Sequence, residues 1–324
     1  MRKEHWHPAV VLVLAAALSA GNATAQGFPS KVVRLVVPFP AGGSNDTVAR
    51  AMSTPLSKAL GQSVVVENRP GANSMLGAET VARSPADGHT VLVAGFTMLG
   101  NAALRSKVTV HPLKDLVPVT GIGAQPMVFS VHPSLPVHSI KDLVALARAR
   151  PGQLVYAIPA YGGPQHISAE LLKLHTRIDM KYVAFQGGAP ATIAVLGGHA
   201  PVLISTVPPL LQHVATGKLR PLAVTSGERT PLLKDLTTMI ELGFADFDIT
   251  GALGIFAPAG TPKETVARLS AEIVCVVLLL EVKDGMARDG YIVKLLGPAE
   301  FEAFLRAKLQ QIQKIVNEAK IKID

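Results

Sequence analysis

Short β-branched runs closed by proline or glycine alternate with stretches of helical length along nearly the whole chain. The first run is Val32-Val33-Arg34-Leu35-Val36-Val37, ended by Pro38. A dense apolar run of that length, with turn residues behind it, reads as a buried parallel strand. A glycine turn follows, Pro40-Ala41-Gly42-Gly43, and then a helical stretch over 45–60 with Asp46 in its first turn. Residues 64–67 form the next expected strand, and Asn68-Arg69-Pro70-Gly71 breaks the chain. A helix over 74–83 and a strand over 90–94 complete a βαβαβ order. That order predicts an α/β lobe with a doubly wound sheet.

The pattern restarts beyond Pro126. Strands are expected at 127–131, 154–157, 181–184, 202–205 and 221–225, with helices at 139–149, 165–175 and 189–196. Ser139 is placed to cap the first of these helices. A return segment at 249–257 leads to Thr261-Pro262-Lys263-Glu264, with Thr at the cap, Pro at the first position and Glu at the third. Two helices, 263–279 and 299–318, then finish the chain. At about 150 residues per domain, 324 residues suit two domains. The expected organisation is a hinged clamshell. Its first lobe is 26–124 with 250–324, its second is 125–249, and the C-terminal helices pack back on the first.

Residues 1–25 read as a secretory leader. Arg2 and Lys3 supply the positive start, the run from Ala9 to Ala20 is the apolar middle, and Ala23-Thr24-Ala25 has the form of a cleavage site. The alternative is a short buried N-terminal helix, but all three parts of a leader occur in order. No cysteine follows to carry a lipid anchor. No apolar stretch reaches the 18–20 residues of an ordinary membrane span. Cleavage near Ala25 delivers the chain to the periplasm and removes Trp6, leaving Tyr156, Tyr161, Tyr182 and Tyr291 as reporters.

A formal charge of +8 favours anions, yet the bases are scattered among acids with no basic stripe. Nucleic acid is therefore not an expected partner. A catalytic apparatus is equally hard to find. His132, His138, His166 and His175 are dispersed, and neither H-E-x-x-H nor G-x-S-x-G occurs. No catalytic residue, metal or cofactor is expected. Cys275 stands within Ile273-Val274-Cys275-Val276-Val277 and reads as a small core residue.

What does recur is glycine at helix starts. Ala41-Gly42-Gly43-Ser44-Asn45-Asp46, Tyr161-Gly162-Gly163-Pro164-Gln165-His166 and Gln186-Gly187-Gly188-Ala189-Pro190 each open a helix. A helix start offers free N–H groups and a positive dipole end, and glycine lets a ligand reach the backbone. The dipole is worth roughly 0.3–1 kcal/mol, whereas a hydrogen bond to a charged group is worth roughly 1.5–3 kcal/mol. Two or three such bonds would set the affinity. Each loop taken alone reads first as a tight strand-to-helix turn, which is common in α/β folds. Three of them, at the carboxyl ends of strands where open α/β sheets bind ligands, favour a small anion held between lobes.

The loops also carry a family likeness. The run Pro29-Ser30-Lys31-Val32-Val33-Arg34-Leu35-Val36-Val37-Pro38-Phe39-Pro40-Ala41-Gly42-Gly43-Ser44-Asn45-Asp46 resembles the opening pattern of Bug-type solute receptors. These are the periplasmic binding proteins of tripartite tricarboxylate transporters. Val66-Glu67-Asn68-Arg69-Pro70-Gly71-Ala72, Phe185-Gln186-Gly187-Gly188-Ala189-Pro190 and Phe256-Ala257-Pro258-Ala259-Gly260-Thr261-Pro262 extend the likeness. It implies a type II, two-lobe periplasmic binding protein that closes on a small carboxylate. It also implies that this monomeric receptor delivers its ligand to membrane permease subunits.

By that likeness Phe39, Ala41, Gly42, Gly43 and Asp46 meet one end of the ligand. Residues 158–166 grip a carboxylate, with Ile158, Ala160, Tyr161, Gly162, Gly163 and His166 as the candidates. Thr97, Gln186, Gly187, Gly188, Ala189 and Ser205 complete the expected site. Asp46 has two readings, a cleft acceptor or a helix cap.

Departures from the family pattern fall in the same places. Its second-lobe loop usually reads Ser-x-Gly-x-Gly-Ser, but here Ile158 and Gly163 replace the two hydroxyls. Asn73-Ser74 stands where two glycines are usual, Pro201 where an acid is common, and the usual tryptophan near Ala252-Leu253 is absent. Fewer side-chain donors predict a less polar ligand, such as an aromatic or branched monocarboxylate. A periplasmic sensor is a rival reading, and a secreted hydrolase a weaker one. The leader and the missing helix-turn-helix speak against a DNA-binding regulator.

Overall fold

The computed structural model describes residues 27–105, 107–185 and 187–321. The expected leader and Gln186 lie outside them. The first sheet holds β1 (Val33–Val37), β2 (Val64–Asn68), β3 (Thr90–Gly95), β4 (Leu116–Gln125), β10 (Gly251–Pro258) and β11 (Ile292–Leu296). Their spatial order is β11-β4-β10-β3-β1-β2. The second sheet holds β5 (Met127–Val131), β6 (Val155–Ile158), β7 (Lys181–Ala184), β8 (Val202–Thr206) and β9 (Arg220–Val224), ordered β7-β6-β8-β5-β9. Both sheets are mixed. β1 runs parallel to β2 and β3, and β6 to β7 and β8. The antiparallel members, β10 and β4 in one sheet and β5 and β9 in the other, flank the two crossings.

Helices α1 (Ser44–Leu60), α2 (Met75–Ala82) and α3 (Phe96–Leu104) belong to the first lobe. The second lobe carries α4 (Ile140–Ala149), α5 (Pro164–Thr176), α6 (Gly188–Leu196) and α7 (Pro208–Ala215). Then come α8 (Lys263–Val277), α9 (Leu280–Arg288) and α10 (Pro298–Glu318). Side chains alternate across each strand and sort into layers. Leu35 and Val37 face Met52, Leu56 and Leu269 in one core, while Val36 points the other way. The core containing Val36 runs on through Phe96, Phe256 and Phe301 into Phe129, Ile158 and Leu172 of the second lobe. Both α3 and α10 pack against α5, so the lobes share an apolar layer on that side. Fully burying one such side chain contributes roughly 1.5–3 kcal/mol.

The crossings are braced by a threonine. Thr225 Oγ1 donates to the Ile249 carbonyl at 2.6 Å and lies 3.2 Å from the Met127 amide. At the helix starts, Ser139 Oγ accepts from the Asp142 amide as expected. Thr261 differs from expectation. Its hydroxyl donates back to the Pro258 carbonyl at 2.8 Å, and Pro262 takes the cap position.

Three further expectations are corrected. The continuous helix over 263–279 ends at Val277, Leu279 is extended, and α9 and β11 follow. The apolar run concealed the break, since every residue in it also suits a helix. Cys275 is exposed rather than buried, because the inward stripe of α8 is Ile273, Val276 and Val277. Finally α10 packs on the second lobe as well as the first.

Candidate functional site

The loop after β1 is built around one carboxylate. Gly42 has φ 83°, a left-handed conformation that favours glycine, and its amide donates to Asp46 Oδ2 at 2.8 Å. Arg50 Nε donates to the same oxygen at 2.9 Å, and Asn68 Nδ2 to Oδ1 at 2.9 Å. Asn68 also reaches the Phe39 carbonyl at 3.1 Å. Asp46 is buried, and both its oxygens are occupied inside the loop. The carboxylate fastens the loop to α1, while the cap position of that helix is taken by Gly43. Burial pushes Asp46 up, but the Arg50, Gly42 and Asn68 hydrogen bonds outweigh it and hold the carboxyl below its usual range. Ala41, Gly42 and Gly43 are exposed and Phe39 is half-buried. Thr97, second residue of α3, is half-buried at the end of β3.

The loop between β6 and α5 rests on a buried histidine. The Gly162 amide donates to His166 Nδ1 at 3.3 Å, which requires that nitrogen to be unprotonated. Burial pushes His166 down to about 4, against the pull of Glu170 and with help from Lys173. Its ring lies 4.5 Å from Tyr161 and 4.9 Å from Tyr182, centroid to centroid. Glu170 accepts from Tyr156 at 2.8 Å and from Lys173 at 2.9 Å. Ile158 and His166 therefore stand behind the loop, in the core, and not on its open surface. Ala160 and Tyr161 are half-buried, and Gly162 and Gly163 are buried.

The third loop is tied to the second. The Gly187 amide donates to the Pro159 carbonyl at 3.0 Å, and Phe185 to that of Ile158 at 2.8 Å. Gly188 begins α6 half-buried, and Ala189 is exposed. Ser205, at the end of β8, is fully buried and its hydroxyl has no hydrogen-bond partner. A β-carbon added to Gly188 would lie 3.3 Å from that oxygen. An orphan hydroxyl thus sits beside the first residue of α6, where the backbone offers donors and positive potential.

The profile of the tripartite tricarboxylate transporter family receptor matches residues 48–322. The chain belongs to this family. It is 32% identical to protein BugT of Bordetella pertussis, over 96% of this chain and 96% of that protein. Among solved structures, R. palustris Rpa4515 with adipate is 32% identical, with a TM-score of 0.81 over 91% of this chain and 99% of that one. MatC from Rhodopseudomonas palustris with bound malate is 28% identical, with a TM-score of 0.79 over 89% of this chain and 100% of that one.

The receptor's two lobes also meet through residues that sequence reasoning did not place at the site. Asn73, from the turn before α2, donates to the Tyr161 carbonyl at 2.9 Å and to Asn101 Oδ1 at 3.0 Å. Only the unusual pair Asn73-Ser74 gave a signal for it. The hydrogen bonds that tie the Phe39–Asp46 loop stay within its own lobe among the described residues, in contrast to that of Asn73. A separate cavity of about 380 Å³ beside the crossings, lined by Ala124, Pro126, Gly251 and Phe304, contains none of the expected site residues. Its polar groups already serve one another. Lys308 Nζ donates to the Asp248 carbonyl at 2.6 Å, and Asp248 Oδ1 accepts from Thr250 at 2.7 Å.

Proposed function

We propose that this receptor is exported to the periplasm by its leader and captures a small organic carboxylate between lobes of 26–124 with 250–324 and 125–249. It hands the ligand to membrane permease subunits and performs no chemistry on it. Two homologues solved with adipate and malate support the ligand class. The observation that carries the reading for this chain is the orphan Ser205 hydroxyl beside Gly188. A carboxylate oxygen arriving there would accept from Ser205 and from the first amides of α6. Hydrogen bonds to a charged group are worth roughly 1.5–3 kcal/mol each. Phe39, Ala41, Gly42, Gly43 and Thr97 would meet the far end of the ligand. Ala160, Tyr161, Gly163, Gly187 and Ala189 would form the second-lobe wall. Gly163, standing where a hydroxyl is usual in the family, favours a less polar body, an aromatic or branched monocarboxylate.

The test is native mass spectrometry of the purified receptor, followed by titration of ligand-free protein with adipate, malate, citrate and aromatic monocarboxylates. Tyrosine emission gives a direct readout, since the leader removes the single tryptophan. Binding of a carboxylate, with at least tenfold weakening in Ser205→Ala, is the expected result. Turnover of any of these acids, or binding indifferent to Ser205→Ala, overturns the reading.

A further inference from the structure

We infer that Asn73 is a positioning residue, a latch from the first lobe that sets the second-lobe binding loop. The inference rests on the proposed role of that loop. Ala72, Asn73 and Ser74 all adopt left-handed φ, at 47°, 54° and 76°. None is glycine, and three consecutive residues in that region persist only when their surroundings hold them there. Asn101 Nδ2 donates to the Asn73 carbonyl at 2.6 Å, and Asn73 Nδ2 donates to Asn101 Oδ1. The two amides thereby orient each other, with Asn101 fully buried.

The other acceptor of Asn73 Nδ2 is the Tyr161 carbonyl, across the lobe boundary. One residue on, the Gly162 carbonyl meets α3 at Gly100, where any side chain would overlap it. Leu104 closes the same contact against Gly162. Tyr161-Gly162 is thus held from the first lobe by Asn73 and from its own lobe by His166. Opening the lobes must break the Asn73 bond, so loop shape and lobe closure are one event. The bond joins two neutral groups, and neither salt nor pH should release it.

The test compares Asn73→Gly and Asn73→Asp with the parent receptor. Aspartate is nearly isosteric but cannot donate, and glycine accepts left-handed φ without strain. Small-angle scattering of ligand-free protein should show a larger radius of gyration for both variants, unchanged between 50 and 500 mM salt. Adipate should bind about 3- to 10-fold more weakly, the value of one neutral hydrogen bond. Asn73→Gly should melt no lower than the parent, because strain leaves with the latch. A merely structural asparagine would instead lower melting temperature and affinity together. Unchanged radii in both variants overturn the inference. If adipate binds none of the three proteins, the proposed ligand class is at fault, and the radii still decide the latch.

Discussion

The Tyr291 hydroxyl donates to Asn45 Oδ1 at 2.6 Å, joining the start of β11 to the second residue of α1 across 246 positions of sequence. The first glycine loop is therefore shaped partly by the far end of the chain. Tyr291 is buried, and burial pushes its hydroxyl pKa well up, so the proton stays on to donate. Tyr291→Phe keeps the ring and removes only the donor. It should cost about 1 kcal/mol in urea denaturation, and it should weaken ligand binding by a smaller factor than any change in the loop itself.

Asp46 should be far less tolerant. Asp46→Ala removes the acceptor of the Gly42 amide and one acceptor each from Arg50 and Asn68, and is expected to cost about 1–3 kcal/mol. The carboxyl is held below its ordinary value in the folded chain. Its stabilisation is therefore fully present above the unfolded value near 3.8 and is lost as pH falls through the lower folded value. Parent and Asp46→Asn should differ by a constant amount above about pH 5 and converge below pH 4 in denaturant series at each pH.

His166 gives the opposite charge type and a different window. Its folded value is about 4 against 6.5 for the free side chain, so the unfolded chain binds the extra proton between those limits. Stability should be flat above about pH 6.5 and fall by on the order of 3 kcal/mol toward pH 4. In the folded chain protonation also removes the acceptor of the Gly162 amide, so ligand affinity should decline only as pH falls toward about 4. His166→Gln should flatten the stability profile. A titration of the His166 ring followed by NMR with a midpoint near 6.5 would refute the assignment.

Gly100 offers a steric test of the lobe contact. A methyl group there would overlap the Gly162 carbonyl, and overpacking of this kind costs roughly 1–3 kcal/mol. Gly100→Ala should separate the lobes, raising the radius of gyration and weakening ligand at least tenfold by calorimetry. A variant equal to the parent in both would mean that the loop yields freely.

The local chemistry of the sequence determined the parallel framework. Pro38 after Val33–Val37, the glycines at 42–43, 162–163 and 187–188, and Ser139 before Ile140 each act within a few residues, and each stands where those residues alone predict. Helix α3 escaped notice because it follows β3 directly from Gly95, with no turn residues to announce it. Strand β11 escaped because a half-exposed antiparallel edge carries a weak apolar alternation. The pairings of Asp46 with Asn68, Asn73 with Tyr161 and Tyr291 with Asn45 were decided by tertiary structure alone. A hydrogen bond between residues 22, 88 or 246 positions apart depends on how sheets and helices stack, and no spacing along the chain encodes which donor will face which acceptor.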